Sequence, residues 1–313
     1  MSQVLMFSGW RYRAMVGSVV CSAFAYIAVS LWGGWPDVVA AIHQVGWWSG
    51  AEVVGLVLLG YGLRFWRWQV YLKALGHAVP WWPSLKIYLA GFALTTTPGK
   101  AGEALRGVLL KRRDVPYVHS FAVLFSERLS DLLAMVGVAL FALVEHPEWL
   151  SMIVTGLVLL ACCMLLVFRP GFVGAFSQWI DSRRSWISRP LLHVLEVLNL
   201  SRICQTPSRQ IGTTLLGVMA WSLEGLAFYW ILMAMKVDIT LTSAVFIYAV
   251  SMLAGALSFM PGGLGSAETV MVALLVAGGG YLPDAIAATL LLRLTTLWLA
   301  VGLGVGMFMH IKR

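Results

Sequence analysis

A helix-breaking motif occurs twice in this chain, each time inside apolar sequence. One copy is TTTPGKAGEALR at 95–106, and the other is SFMPGGLGSAETVM at 258–271. Proline and glycine interrupt helices, and non-helical backbone survives at membrane depth only where protein or a wet cavity covers it. The motifs therefore predict two broken helices that face a cavity, with the breaks at Pro98, Gly99 and Gly102 and at Pro261, Gly262, Gly263 and Gly265.

An acidic and a basic residue accompany each break at the same spacing. The spacing from Glu103 to Arg128 equals the spacing from Glu268 to Arg293. Ionisable side chains at membrane depth are costly and usually mark a substrate or ion pathway. A broken helix with buried charge in both halves is typical of a transport site at a repeat interface. The alternative is that the arginines pair with Glu103, Asp131 or Glu268 only to brace the hairpins.

The composition indicates an integral membrane protein. Hydrophobic residues make up 60% of the 313 residues, charged residues 12%, and the mean hydropathy is +0.83. Soluble domains carry about a quarter charged residues. We expect no soluble domain that could hold a separate enzyme. The four cysteines and six histidines have no metal-ligand spacing, so we expect no metal and no cofactor.

About six segments have the roughly 20 residues that a bilayer crossing requires. They are Ala14–Trp32, Ala51–Tyr71, Tyr117–Val144, Trp149–Phe168, Ile211–Met235 and Ala285–Met309. The first has no convincing cleavage site after it, so we interpret it as a retained span.

Shorter apolar segments flank the two breaks. Leu85–Thr97 and Ala101–Leu110 are too short to cross a core about 30 Å thick, which favours a re-entrant hairpin. Ser243–Met260 and Leu264–Gly279 are longer, and they form either a second re-entrant hairpin or two full spans.

The basic loops predict the orientation, because positive charge collects on the cytoplasmic side. With both termini in the cytoplasm, LKRRD at 110–114 and the six arginines of 169–210 lie inside, and Lys236 lies outside. The two hairpins then enter from opposite sides. The predicted fold is an all-α integral membrane protein with one membrane domain, 1–313, an inverted-topology repeat of 14–144 and 149–309, and two opposed re-entrant helical hairpins. The loop 169–210 is expected to form amphipathic helices on the cytoplasmic surface.

Charged residues around the predicted cavity favour an anionic ligand, with phosphate the commonest match. By helical rise, Arg128 lies near the midplane. The acidic residues leave open a zwitterionic or amine-bearing head group, or proton coupling. Arg64 and Arg67 are expected to snorkel, although Arg64 could line the cavity floor. The candidate substrate-binding residues are Arg128, Arg293, Lys100, Glu103, Glu268, Glu127, Asp131, Glu224 and Arg64.

Four segments carry a family resemblance that covers essentially the whole chain. They are PGKAGEALR (98–106), SERLSD (126–131), PGGLGSAE (261–268) and LRLTTLW (292–298). With these the chain resembles the flippase-like membrane domain of the lysylphosphatidylglycerol synthase family. The resemblance implies movement of a lipid across the bilayer, adds Arg106 to the candidate binding residues, and implies no synthase activity because the soluble domain is absent from this sequence.

The predicted function is a lipid flippase for a phosphate-bearing lipid, such as a phospholipid, an aminoacyl-phospholipid or a polyprenyl-phosphate-linked lipid, glycolipid or hopanoid lipid. Its partners would be membrane lipids with anionic or zwitterionic head groups, not nucleic acid, with a second copy or lipid-biosynthesis enzymes as possible protein partners. We expect the inner membrane of a bacterium as its location. The alternatives are a membrane-embedded enzyme on a lipid phosphate and a non-transporting subunit of an envelope assembly.

Overall fold

A computed structural model describes residues 35–97, 101–142, 147, 150–151, 154–158, 188–258 and 260–312. Within these ranges the chain is helical, with turns between the helices and no strand. The helices, in chain order, are α1 Trp35–Ala74, α2 Trp81–Ala90, α3 Ala101–Lys111, α4 Tyr117–Ala142, α5 Ser188–Cys204, α6 Pro207–Ala234, α7 Leu241–Leu257, α8 Ser266–Ala277, α9 Leu282–Arg293 and α10 Leu299–Lys312. The all-α prediction is confirmed for this part of the chain.

Two long helices in the described part are apolar enough to cross a membrane. One is α6, and the other is the run Leu282–Ile311 formed by α9, a π-helical turn at Leu294–Trp298 and most of α10. They contain the predicted spans Ile211–Met235, except its last residue, and Ala285–Met309. Helices α1 and α4 have the length, but each carries three charged residues in its predicted span: Glu52, Arg64 and Arg67 in α1, and Glu127, Arg128 and Asp131 in α4.

Other predicted spans lie outside the described residues. Ala14–Trp32 falls there entirely, and Trp149–Phe168 falls there for the most part. The total of six spans stays a prediction. Helix α1 contains the predicted span Ala51–Tyr71 and begins earlier, with a non-helical Gly46 (φ 69°) joining its two segments.

Helices are interrupted near both motifs, but Pro98 and Gly99 lie outside the described residues. The expectation that Gly102 is a break is wrong, because this residue lies in the first turn of α3, where its lack of a side chain allows the close approach of Gly91. The first hairpin has α2 and a 3₁₀ turn at Gly91–Leu94 before the break, and α3 after it. In the second, α7 ends at Leu257 and α8 begins at Ser266, with a 3₁₀ turn at Pro261–Gly263 between them. At 17 and 12 residues, α7 and α8 are shorter than a typical span. The re-entrant path itself stays a prediction.

The chain divides into two compact units. The first comprises 1–58, 85–106 and 223–313, and the second comprises 59–84 and 107–222. Both copies of the motif belong to the first unit, and α4 belongs to the second. The inverted repeat of 14–144 and 149–309 stays a prediction.

Close backbone contacts hold the first unit together. A Cβ atom at Gly304 in α10 would lie 2.2 Å from the backbone nitrogen of Ala93, and one at Gly102 would lie 2.2 Å from the carbonyl oxygen of Gly91. Small residues at such points let membrane helices approach closely. The 3₁₀ turn at Gly91–Leu94 therefore packs against α3 at Gly102 and against α10 at Gly304.

In the second unit, α5 packs on α4. The Ser201 hydroxyl donates to the carbonyl of Ala122 at 3.3 Å, and Leu195 is buried. This helix lies within the loop 169–210, as predicted. Because Ser201 contacts Ala122, part of the surface of α5 is covered by α4. Burial raises the pKa of the Cys204 thiol at its end to about 11.

Gly304→Ala should lower the stability of the folded protein, because the added methyl group would collide with the backbone at Ala93. Overpacking of this kind costs about 1–3 kcal/mol. The measurement is the free energy of unfolding in mixed detergent micelles. Gly302→Ala is the matched control on the same helix, since nothing lies within 4 Å of its added carbon. Equal stability of the two variants would contradict this packing.

Candidate functional site

Arg293 holds the second break from the end of α9. Its Nε donates to Glu268 Oε1 at 2.6 Å, and its Nη2 donates to the carbonyl oxygen of Gly262 at 2.7 Å. Its Nη1 lies 4.0 Å from the sulfur of Met252. The Arg293 side chain is 6% exposed. All three nitrogens of the guanidinium group thus contact the protein.

Glu268 also caps the helix that follows the break. Its Oε2 accepts a hydrogen bond from the backbone N–H of Gly265 at 2.7 Å. A carboxylate at the third position of a helix satisfies an otherwise unpaired amide and meets the positive end of the helix dipole. One carboxylate therefore fixes both the start of α8 and the guanidinium of Arg293.

The glycines of this break are required by backbone shape. Gly262, Gly263 and Gly265 have φ values of 61°, 66° and 85°, a region that side chains with a Cβ rarely adopt. A Cβ at Gly262 would lie 3.4 Å from Leu297 and 3.6 Å from the carbonyl oxygen of Thr95. The two copies of the motif therefore approach each other within the first unit.

A π-helical turn, Leu294–Trp298, follows Arg293 immediately. The hydroxyl groups of Thr295 and Thr296 donate to carbonyl oxygens one turn earlier, at 3.0 Å and 2.7 Å to Leu292. Single π turns inside α-helices are frequent at functional sites. This π-helical turn widens the helix directly after Arg293, one of the predicted binding residues.

The first motif is described in part. Pro98, Gly99 and Lys100 lie outside the described residues, as do the side chains of Glu103 and Pro261. Arg106 is 9% exposed; its Nε donates to the carbonyl of Tyr88 at 3.3 Å, and its guanidinium lies 4.2 Å from the centre of the Tyr88 ring. A Cβ at Gly91 would collide with that side chain. Arg106 is therefore held against the first arm of its own hairpin.

The second unit contains a cluster of charged residues around Asp131. Arg67 Nη2 donates to Asp131 Oδ1 at 2.6 Å, and Arg128 Nη2 lies 3.3 Å from Asp131 Oδ2. The Arg67 and Asp131 side chains are 1% and 5% exposed, whereas Arg128 is 48% exposed. The buried carboxylate of Asp131 thus contacts two guanidinium groups. That of Arg67 is buried, and that of Arg128 is half exposed. We call Arg64, Arg67, Glu127, Arg128, Asp131 and Trp221 the Asp131 cluster.

Helix α6 contributes an aromatic residue to the Asp131 cluster. Trp221 Nε1 donates to Asp131 Oδ1 at 3.1 Å, and the Arg64 guanidinium lies 4.1 Å from the centre of the Trp221 ring. Such cation–π contacts stabilise an arginine in a poorly solvated place. Gly217, one turn earlier in α6, makes room for Arg67, since a Cβ there would lie 3.0 Å from Arg67 Nη1.

The expectation that Arg67 snorkels is wrong. Its guanidinium is buried and paired with Asp131, because a carboxylate from a distant part of the chain offers a stronger partner than the membrane surface. Its Nε and Nη1 have no hydrogen-bond acceptor among the described residues. The helical spacing of Arg64, Arg67 and Tyr71 on one face of α1 is the signal that could have identified it. Tyr71 completes this face with a hydrogen bond of 2.5 Å to Ser130.

The two remaining acidic residues of the predicted set, Glu127 and Glu224, are buried. Glu127, 2% exposed, acts electrostatically on Arg67. Glu224, 4% exposed, accepts a hydrogen bond from the Tyr248 hydroxyl within the first unit. Arg293 pairs with Glu268 in the first unit, and Arg128 pairs with Asp131 in the second. The bracing pairs that the sequence offered as an alternative are therefore present, and they leave a role in binding open.

No group of three metal-ligating side chains is found where the structure describes the chain. Two of the histidines nevertheless meet: Nε2 of His77, in the turn after α1, lies 2.8 Å from Nδ1 of His119, in the first turn of α4. Burial, and then the neighbouring imidazole, lower the pKa of His77. This contact fixes the turn after α1 to the start of α4.

These features define a helical membrane protein with charged residues buried among its helices. The chain belongs to the family described as the lysylphosphatidylglycerol synthase TM region, whose model matches residues 14–304. This confirms the resemblance, and it connects the chain with membrane lipids.

Three archaeal relatives are described as UPF0104 membrane proteins. One from Pyrococcus horikoshii is 25% identical over 82% of this chain and 90% of its own length. One from Methanothermobacter thermautotrophicus is 24% identical over 90% and 89%. One from Methanocaldococcus jannaschii is 25% identical over 71% and 95%. The chain is thus similar to membrane proteins of about its own extent.

Asp131→Asn should destabilise the protein by about 3–5 kcal/mol, the usual result of leaving one member of a buried ion pair alone. The change keeps the shape and removes the charge opposite Arg67. Unfolding in mixed micelles would measure the loss. The double variant Arg67→Met, Asp131→Leu should recover most of it, because neither member of this buried ion pair is then left without the other. A double variant less stable than Asp131→Asn would contradict this account.

Acidification should weaken the contact between His77 and His119. Since the pKa of His77 is lowered on folding, protonation favours the unfolded chain, and stability is lost as the pH falls from above about 6.5, the ordinary value, toward the lowered pKa. We expect the melting temperature of the native protein to drop more between about pH 7.5 and pH 5.5 than that of His77→Gln. Identical pH profiles would exclude this contribution.

Proposed function

We propose that the protein is a lipid flippase that moves a phosphate-bearing lipid between the leaflets of a cell membrane. The observation that carries the proposal is the Asp131 cluster, in which a half-exposed Arg128 is held by a buried carboxylate. Arginine binds phosphate oxygens in a fixed planar geometry. Membership of a lipid-related membrane family supports the same assignment.

In the proposed mechanism, Arg128 binds the phosphate while the acyl or prenyl chains stay in the lipid. Asp131 orients the Arg128 side chain, and Trp221 and Arg64 pack beside it. The activity breaks and forms no covalent bond, so we propose no enzymatic role. Lys100 and Glu103 remain candidates from the sequence for the same head group.

The second break has a different part in this proposal. Arg293 and Glu268 tie the end of α9 to Gly262 and Gly265. A hairpin tied by one ion pair can exchange between two packed arrangements when that pair breaks. We propose that this pair gates the access of lipid, and that Arg293 meets the phosphate when Glu268 releases it.

The topology completes the proposal. Two re-entrant hairpins that enter from opposite sides, in an inverted repeat with about six full spans and both termini in the cytoplasm, would allow two related conformations of similar energy. Each would open to one leaflet. The interruptions between α2 and α3 and between α7 and α8 support this arrangement.

The test is lipid translocation in proteoliposomes that contain labelled phospholipids or polyprenyl phosphates. Arg128→Ala should reduce the rate by at least about tenfold, since one charge-assisted contact is worth about 1.5–3 kcal/mol. Arg293→Ala should reduce it as well, and its folding must be checked first because this side chain is buried.

Arg113→Ala is the matched control, because it removes the same charge from an exposed turn. It should translocate at the native rate. Native rates in well-folded Arg128→Ala would exclude the assignment. Failure of native protein to move any lipid would favour an enzyme or an assembly subunit.

A further inference from the structure

Two histidines that are 42 residues apart along the chain lie side by side in the second unit. His77 Nε2 is 2.8 Å from His119 Nδ1, and the centres of the two rings are 4.9 Å apart. Both residues are half-buried, so an ion from the solvent can reach them. Neutral imidazole is the commonest side-chain ligand of transition metals. The fold therefore brings together two metal-binding nitrogens that the spacing along the sequence does not connect.

The backbone holds both imidazoles in place. The N–H of His77 donates to the carbonyl oxygen of Leu72 at 3.0 Å, which closes the turn after α1. His119 lies in the first turn of α4, where the N–H of Ser120 donates to the carbonyl oxygen of Pro116 at 3.1 Å. Ligands on an ordered backbone lose less conformational entropy when they bind than ligands on a mobile segment. The pair is thus organised before an ion arrives.

The pair also favours the neutral form of imidazole, which is the form that binds a metal ion. A ring nitrogen coordinates through its lone pair, so a protonated histidine must first lose its proton. Burial, and then the neighbouring imidazole, lower the pKa of His77. The contact of 2.8 Å itself requires at least one neutral ring, because two protonated rings would have no acceptor between them.

The separation of the two nitrogens favours one coordination geometry. With metal–imidazole bonds of about 2.0–2.1 Å, two nitrogens at a right angle around an ion lie about 2.9 Å apart, and two at a tetrahedral angle about 3.3 Å apart. The observed 2.8 Å is closer to the right angle. Right angles between neighbouring ligands are those of tetragonal Cu²⁺ and Ni²⁺, whereas Zn²⁺ is usually tetrahedral. Each ring has only to turn so that its lone pair points to the ion.

We propose that His77 and His119 form a binding site for a tetragonal divalent transition-metal ion, with Cu²⁺ bound most tightly. Water would occupy the remaining positions, so the affinity is modest beside that of a structural zinc site with four protein ligands. The ion would tie the turn after α1 to the start of α4, the two helices that also carry Arg67 and Asp131. The site is independent of lipid movement.

The experiment is a titration of the purified full chain in detergent with Cu²⁺, after removal of any purification tag, followed by electron paramagnetic resonance. It is done at about pH 7.5, above the ordinary pKa of histidine. Native protein should take up one Cu²⁺ whose spectrum shows coupling to two nitrogens, and Ni²⁺ should displace it more readily than Zn²⁺. No saturable uptake, coupling to fewer than two nitrogens, or displacement by Zn²⁺ as readily as by Ni²⁺ would overturn the proposal.

His77→Gln and His119→Gln each remove one ligand and keep a polar side chain. Each should weaken Cu²⁺ binding at least about tenfold and leave coupling to one nitrogen, because the second ligand no longer acts at high effective concentration within the same molecule. His193→Gln is the matched control, since His193 is an exposed histidine on α5, 3.6 Å from Glu196. It should bind Cu²⁺ as native protein does. Native affinity in either pair variant, or an equal loss in His193→Gln, would overturn the proposal.

The melting temperature gives a second readout that does not depend on the spectrum. Ni²⁺ at about ten times its dissociation constant should raise the melting temperature of native protein by at least about 1 °C, because the ion binds only the folded chain. The rise should persist in His193→Gln and disappear in His77→Gln. No rise in native protein, or the same rise in folded His77→Gln, would contradict an ion held between the two helices.

Discussion

The cost of placing charge among apolar helices governs the arrangement of this protein. Arg67, Asp131, Arg293 and Glu268 all lie where water is scarce, and an isolated charge there would be expensive. Each is therefore tied to an opposite charge from a distant part of the chain. These pairs fix which helices meet, and the helices in turn determine where the remaining charge is exposed.

Arg128 and Arg293, which follow the two copies of the motif at the same spacing, lie in different surroundings. Arg293 is surrounded by protein acceptors, so its present contacts hold the second break in shape. Arg128 shares its carboxylate with Arg67, and its side chain is half exposed. The sequence makes the two look equivalent. Their surroundings separate a residue that now braces a hairpin from one that is accessible to a ligand.

Part of this arrangement could be predicted from sequence alone. The interruption at Pro261 and Gly262 follows from backbone chemistry, since proline and glycine act locally. The pairing of Arg293 with Glu268 and of Arg128 with Asp131 was among the alternatives, and the second is a contact between neighbouring turns of one helix. Arg67 was misjudged because its partner lies on a different helix, far along the chain, and its position near a span end suggested the membrane surface. The meeting of His77 and His119 was missed for the same reason, as 42 residues separate them.

The sequence by itself determined that the chain is apolar, that its described residues are helical, and that the helices are interrupted at Pro261 and Gly262, because these properties depend on residues close together along the chain. It also determined the family, through motifs that extend over most of the length. Only the tertiary structure decided that Asp131 pairs with a buried Arg67 and a half-exposed Arg128. It also decided that Trp221, on a separate helix, donates a hydrogen bond to Asp131. Electrostatic pairing acts through space and burial sets its strength, and neither distance nor burial can be read from separation along the chain.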